Sequence, residues 1–119
     1  MLNLNHKNLD TWKKSLDLVK EVYKICDKLP SDEKYNLISQ LKRSAISVSS
    51  NIAEGYARKS LIETKRFLDI ARSSLVELDT QIEICIELGF LKLEEIKIFE
   101  DNLNHIFTMI SNLIKSIRT

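Results

Sequence analysis

Hydrophobic residues recur at spacings of three and four in four separate stretches of the 119-residue chain. This spacing lines one side of an α-helix and is typical of a helix bundle. No stretch alternates apolar and polar residues for long enough to predict a β-strand. The four predicted core stripes are Leu9, Trp12, Leu16, Val19, Tyr23 and Cys26; Ile38, Leu41, Ala45, Val48 and Ile52; Leu68, Ala71, Leu75, Leu78, Ile82 and Cys85; and Ile96, Phe99, Leu103, Ile106, Ile110, Leu113 and Ile117.

The ends of these stretches carry the residues that start and stop helices. Pro30 ends the first helix and Ser31 begins the second, because proline cannot continue a helix and serine caps one. Ser60 and Glu63 form a capping-box pattern, and Gly89 suits a left-handed helix end. Connections this short predict an all-α, antiparallel up-down-up-down four-helix bundle. We predict one domain, residues 1–119, with helices at roughly 9–29, 32–57, 61–88 and 93–118.

Two of the predicted helices have more apolar surface than a small bundle needs. A helix that is apolar over more than about a third of its circumference is expected to have a second partner. In a single small domain that partner is a second copy of the chain, although a broader core within one copy would also explain the pattern. The surplus residues are Leu18, Val22 and Ile25 in the first helix and Ile98, Phe107, Met109 and Ile114 in the fourth.

Charge is unevenly distributed along the chain although the net charge is only +1. Residues 1–33 are balanced, residues 34–75 carry a net +5 and residues 76–119 a net −4. The middle third is therefore the candidate surface for RNA or DNA, which needs clustered cations. Its spacing also allows ordinary ion pairs between helix neighbours, such as Glu63 with Arg66. The candidate nucleic-acid-binding residues are Lys42, Arg43, Arg58, Lys59, Lys65, Arg66 and Arg72.

A segment rich in serine and other small residues spans positions 44–55. Serine is a mediocre helix former, so its frequency here needs a compensating contact. Small side chains at one helix face allow another helix to approach closely, and neighbouring polar groups can then hydrogen-bond across the contact. We predict a role in packing or in a subunit contact for Ser44, Ser47, Asn51, Glu54 and Gly55.

Catalytic and metal-binding patterns are not apparent in the sequence. His6 and His105 are the only histidines, and neither follows a glutamate by three positions as a di-iron bundle requires. The two cysteines, Cys26 and Cys85, are far apart and fall on apolar stripes, so we predict buried thiols in place of a zinc site. The prediction is a protein that is not an enzyme and has no cofactor or metal.

Membrane and export signals are also not apparent. No run of about 18 apolar residues could cross a bilayer, and the first residues lack a charged segment followed by an apolar one. We therefore expect a cytoplasmic protein with no membrane partner.

Several segments resemble a known bacterial family of four-helix bundle proteins that are encoded in intervening sequences of 23S rRNA genes. The resemblance extends over nearly the whole chain, and its most specific element is residues 51–55. The segments that carry it are Gln40-Leu41-Lys42-Arg43, Asn51-Ile52-Ala53-Glu54-Gly55, Arg66-Phe67-Leu68-Asp69-Ile70-Ala71, Ser73-Ser74-Leu75-Val76-Glu77-Leu78 and Leu88-Gly89-Phe90-Leu91.

The resemblance implies a homopentamer of four-helix bundles. It also implies kinship with the accessory protein of diversity-generating retroelements, a pentamer that binds nucleic acid and associates with a reverse transcriptase. The partners expected from it are further copies of the chain and RNA or DNA. The alternative is a protein-interaction scaffold that binds another protein and no nucleic acid.

Overall fold

The computed structural model describes residues 1–118, and this part of the chain contains helices and no strand. Residue 119, which the predicted domain includes, lies outside the described residues. Three short 3-10 helices precede α1, α2 and α4, at Asn5–Asn8, Ser31–Glu33 and Leu93–Ile96. The four long helices are α1 (Asp10–Cys26), α2 (Leu37–Ala57), α3 (Leu61–Glu87) and α4 (Lys97–Ser116).

Each long helix packs against two others, in the order α1, α2, α3, α4 and back to α1. Early residues of one helix meet late residues of its neighbour, so neighbouring helices run in opposite directions. This confirms the predicted antiparallel four-helix bundle, which measures 44 × 28 × 20 Å. The side-chain contacts that show the direction are Ser15 with Ser49, Cys26 with Ile38, Ser47 with Ser74, Thr64 with Gly55, Arg72 with Ser111 and Glu21 with Asn102.

The predicted core stripe of α1 was correct at Cys26 and at Leu9, Trp12 and Val19, which pack against the core, but wrong at two positions. Leu16 and Tyr23 are 37% and 42% exposed, whereas Leu18 and Val22, which were assigned to the surplus, are fully buried. The buried stripe also contains polar Ser15, whose hydroxyl donates to Trp12 O at 2.5 Å and lies 2.9 Å from Ser49 Oγ. A pattern built only on apolar residues does not include a buried serine. The predicted stripe was therefore rotated about the helix axis, toward α2.

The stripes of the other helices agree better with the prediction. Leu41, Ala45 and Val48 of α2 are fully buried, and all six predicted stripe residues of α3 are buried. In α4 the stripe is buried from Ile96 to Ile110, while Leu113 and Ile117 pack against the core only in part.

Helix boundaries differ from the prediction mainly at helix starts. α2 begins at Leu37 instead of residue 32, because Asn36 has φ −128° and ψ −98°, which interrupts the helical path. α4 begins at Lys97 instead of 93, after the 3-10 helix. The predicted cap of α3 is present, with Ser60 Oγ accepting from Glu63 N at 3.4 Å. α3 ends before Gly89, which has the expected positive φ of 79°.

Both thiols lie in the core as predicted. Cys26 is 4% exposed and Cys85 is fully buried. Burial raises the pKa of the Cys26 thiol to about 11, so it stays protonated and packs as a small apolar group.

Candidate nucleic-acid interface

The antiparallel fold divides the charges between the two ends of the bundle. We call residues 1–17, 46–73 and 107–118 the basic half, because it carries ten basic and five acidic side chains. We call residues 18–45 and 74–106 the acidic half, which carries eight basic and twelve acidic side chains. The separation follows the longest dimension of the molecule, 44 Å. One end can therefore attract anions while the other repels them.

Arg58, Lys59 and Arg66 lie close to the α2–α3 connection in the basic half, and all three are exposed. The guanidinium carbons of Arg58 and Arg66 lie 4.7 and 5.5 Å from the ring centroid of half-buried Phe67. Such cation–π contacts hold a guanidinium in place without using its hydrogen-bond donors. Two arginines are thus held at the same ring by contacts that leave their N–H donors available to phosphate oxygens.

Lys65 and Arg72 belong to the same half but are less available. Both are half-buried, and together with Arg66 they line a depression of about 400 Å³ between α3 and α4. Arg72 donates to Asp69 Oδ1 at 2.8 Å and to Ser111 Oγ at 3.4 Å. An arginine already paired with a carboxylate has less free charge to offer a phosphate, so Arg72 is the weaker candidate of the two.

Lys42 and Arg43 lie in the acidic half, away from the other five candidate residues. Lys42 Nζ lies 4.4 Å from the ring centroid of Tyr23, on the α1 side of α2. Arg43 lines a separate depression beside Glu77 and Gln81 of α3. The structure therefore divides the seven candidate residues into a group of five and a group of two.

Lys115 and Arg118 join the basic half although sequence analysis did not single them out. Lys115 lies in the last turn of α4 and Arg118 just after the helix, close to the start of α3, because these two helices are antiparallel. Lys13 and Lys14 approach the same end from α1. The up-down-up-down topology already predicted from the sequence was the signal that could have identified them.

The small-residue segment packs α2 against α3 within one chain. Ser44 is buried, and the hydroxyls of Ser47 and Ser74 lie 2.9 Å apart. Asn51 Nδ2 donates to Ser47 O at 2.8 Å and to Ser47 Oγ at 3.0 Å, so its amide group binds within its own helix. Glu54 is exposed. These contacts give Ser44 and Ser47 a packing role within one chain.

Gly55 marks the closest approach of α2 and α3. A Cβ at this position would lie 3.1 Å from Phe67 Cβ and 3.2 Å from Thr64 O. Thr64 Oγ1 donates to Gly55 O at 2.8 Å, which fixes the two helices at this separation. The contact also positions Phe67, the ring on which Arg58 and Arg66 stack.

Among residues 1–118, no three His, Cys, Asp or Glu side chains are grouped so that they could hold a metal ion. Over the same residues, no helix is both long enough and apolar enough to cross a membrane.

Known proteins similar to the chain share its fold. Residues 7–112 match the family model described as 23S rRNA-intervening sequence protein. The chain is also similar to a 1.70 Å crystal structure of a protein with unknown function from the S23 ribosomal protein family of Bacteroides thetaiotaomicron VPI-5482. The two chains are 21% identical with a TM-score of 0.81, and the match covers 89% of this chain and 99% of that one. No curated protein matches the sequence.

Proposed function

The chain belongs to the family of 23S rRNA-intervening sequence proteins, and from this premise we propose a function for it. It is a self-assembling bundle without catalytic activity that binds the phosphate backbone of RNA or DNA through its basic half. The residues that make the contact are Arg58, Lys59, Lys65 and Arg66, joined by Lys115 and Arg118.

The separation of charge along the bundle is the observation that carries this proposal. A net charge of +1 would give little attraction to nucleic acid if the charges were mixed. The basic half has twice as many basic as acidic side chains, so the local field is much stronger than the net charge suggests. Cations gathered at one end can displace several counterions from adjacent phosphates, which is the main source of nonspecific affinity.

Exposed apolar side chains support the self-assembly part of the proposal. Leu16 and Tyr23 on α1 and Val76 on α3 are between 37% and 53% exposed. Together with Phe107 on α4 they leave apolar surface open to solvent on three of the four long helices. Assembly would bury them, and the family resemblance favours a pentamer.

The test is a salt titration of the protein against labelled single- and double-stranded RNA and DNA, with molar mass measured in the same buffers. We expect one oligomer whose log affinity falls linearly with log salt concentration. For double-stranded DNA, the magnitude of this slope falls by about 0.9 for each phosphate contact that is removed. Lys59→Glu combined with Arg66→Glu should therefore weaken binding and reduce the slope by about two.

A matched control is Lys34→Glu combined with Lys97→Glu, which changes the same number of exposed charges in the acidic half. The affinity and salt slope of this control should be closer to those of the unmodified protein than the affinity and slope of the basic-half variant are. Equal losses in both variants would contradict a localised interface. An intact oligomer that binds no nucleic acid at low salt would favour the alternative, a protein-interaction scaffold.

A further inference from the structure

The depression between α3 and α4 in the basic half combines three kinds of side chain. It is lined by Ile62, Lys65, Arg66, Asp69 and Arg72 of α3 and by Ile114 of α4. Its volume of about 400 Å³ falls in the range of small-ligand pockets, roughly 300–1,000 Å³. A ligand that matches this lining has an apolar body, a negative charge and hydrogen-bond donors.

The cations of the depression continue the surface that is proposed to bind the nucleic-acid backbone. Arg66 belongs to both, because it lines the depression and also stacks on Phe67 beside Arg58. A strand whose phosphates lie on Arg58 and Arg66 therefore passes the mouth of the depression. A duplex keeps its bases stacked and paired, so only an unpaired base can turn into this space.

An unpaired base would find apolar and planar contacts there. Ile62 is 68% exposed, and Ile114 packs against the core from the α4 side. A base that covers these side chains removes apolar surface from water. The guanidinium plane of Arg66 offers a further stacking surface, as arginines do for unpaired bases.

Asp69 determines which base matches the depression. Its Oδ1 accepts from Arg72 at 2.8 Å, and Arg72 also donates to Ser111 Oγ of α4 at 3.4 Å, so the carboxylate is held at the helix junction. The Asp69 side chain is 62% exposed and can accept further hydrogen bonds, but an ionised carboxylate donates none. Guanine presents two adjacent donors, N1–H and N2–H, on its Watson–Crick edge. Adenine, cytosine and uracil each place an acceptor beside a donor there, and that acceptor would face the carboxylate.

We propose that the depression binds an unpaired guanine of single-stranded RNA or DNA. Asp69 accepts from guanine N1–H and N2–H, and Lys65 and Arg66 contact the adjoining phosphate. Arg72 is a positioning residue that holds the Asp69 carboxylate. The inference rests on the proposed nucleic-acid binding and adds a base preference to it, since phosphate contacts alone carry no sequence information.

The experiment measures the Kd of the full chain, by fluorescence anisotropy, for short uridine-rich RNA strands that differ at one central nucleotide. We expect the guanosine strand to bind about tenfold more tightly than the adenosine strand, as a bidentate base contact provides. Inosine keeps N1–H but lacks the N2 amino group, so its strand should have an intermediate Kd. When each strand is paired with its complement, the guanosine and adenosine duplexes should bind equally.

Asp69→Asn tests the carboxylate directly, because it replaces one acceptor oxygen with a donor. The variant should bind the guanosine and adenosine strands equally. Its affinity for the adenosine strand should be no lower than that of the unmodified protein, because a negative charge has been removed from a phosphate-binding surface. The matched control is Glu54→Gln, which removes an exposed carboxylate of the basic half that does not line the depression. This control should keep the guanosine preference, and circular dichroism should show the same helix content in both variants.

The inference is overturned if the unmodified protein binds the guanosine, inosine and adenosine strands equally, or if Glu54→Gln also loses the preference. If Asp69 acts only as the ion-pair partner of Arg72, Asp69→Asn will change the Kd of both strands by the same factor and keep the preference, which also overturns it. Binding without any base preference leaves the proposed function standing. Failure to bind every strand at low salt would overturn that function as well.

Discussion

At the scale of single residues, the carboxylate of Glu21 lies between α1 and α4. One of its oxygens accepts a hydrogen bond from Asn102 Nδ2 at 2.5 Å, and the other is buried with no partner among residues 1–118. Desolvation by this burial raises the pKa of Glu21 above its usual 4.5, although the hydrogen bond from Asn102 acts in the opposite direction. The folded protein therefore holds this proton more tightly than the unfolded chain does.

The pH dependence of stability tests this account. A carboxyl whose pKa is raised on folding stabilises the protein less as the pH rises through the folded-state pKa, and its cost is fully present at neutral pH. Glu21→Gln removes the titration. We expect the Tm of the variant minus that of the unmodified protein to increase between about pH 4 and pH 7. A difference that stays constant or shrinks over this interval would contradict the role of burial.

At the scale of helices, Gly55 sets the separation of α2 and α3. Alanine in a helix is usually about 1 kcal/mol more favourable than glycine. Here its Cβ would meet Thr64 O at 3.2 Å, and this backbone atom can move only if α3 moves. Overpacking typically costs about 1–3 kcal/mol. We therefore expect Gly55→Ala to lower the free energy of unfolding by about 1 kcal/mol, measured by urea denaturation.

Ser50→Ala is the matched control, because Ser50 is an exposed residue of the same helix. It should raise stability by a few tenths of a kcal/mol through helix propensity alone (roughly 0.5). If Gly55→Ala raised stability by the full amount that helix propensity predicts, about 1 kcal/mol, the close contact with α3 would have no energetic consequence.

The buried face of a helix could be predicted from the sequence where that face consists only of apolar residues. This condition holds for α3, where every predicted stripe residue is buried. It fails for α1, where Ser15 occupies a core position because Trp12 O and Ser49 supply its hydrogen bonds. Ser49 lies 34 residues away, so only the folded structure shows that this polar group is satisfied. The start of α2 was missed because it depends on the local backbone of Asn36.

At the scale of the whole molecule, the basic surface could be predicted only in part. The excess of positive charge in residues 34–75 is visible in the sequence. Which of these residues lie together depends on helix length and direction, and those place Lys42 in the acidic half and bring Lys115 to the basic half. A count of charges along the chain cannot show which half of the bundle each residue belongs to. The antiparallel topology does show it, once it is applied to each charged residue in turn.

Assembly and binding are expected to be coupled. If copies pack side by side in the same direction, their basic halves lie next to one another, and one strand can cross several copies. Linked binding sites commonly gain a factor of about 10²–10⁴ in avidity. Val76→Glu places a charge on an exposed apolar side chain of α3 that assembly would bury, so we expect it to dissociate the oligomer. It should then bind a long single-stranded RNA at least about tenfold more weakly than the unmodified protein, although its basic half is unchanged.

Oligonucleotide length separates this effect from direct damage to the interface. An RNA that spans less than 28 Å, the intermediate dimension of one copy, can contact only one basic half at a time. Val76→Glu should bind this short RNA as the unmodified protein does. Apparent Kd values from fluorescence anisotropy would decide the matter. Full affinity of monomeric Val76→Glu for the long RNA would show that one bundle suffices and that the assembled array of basic halves adds nothing.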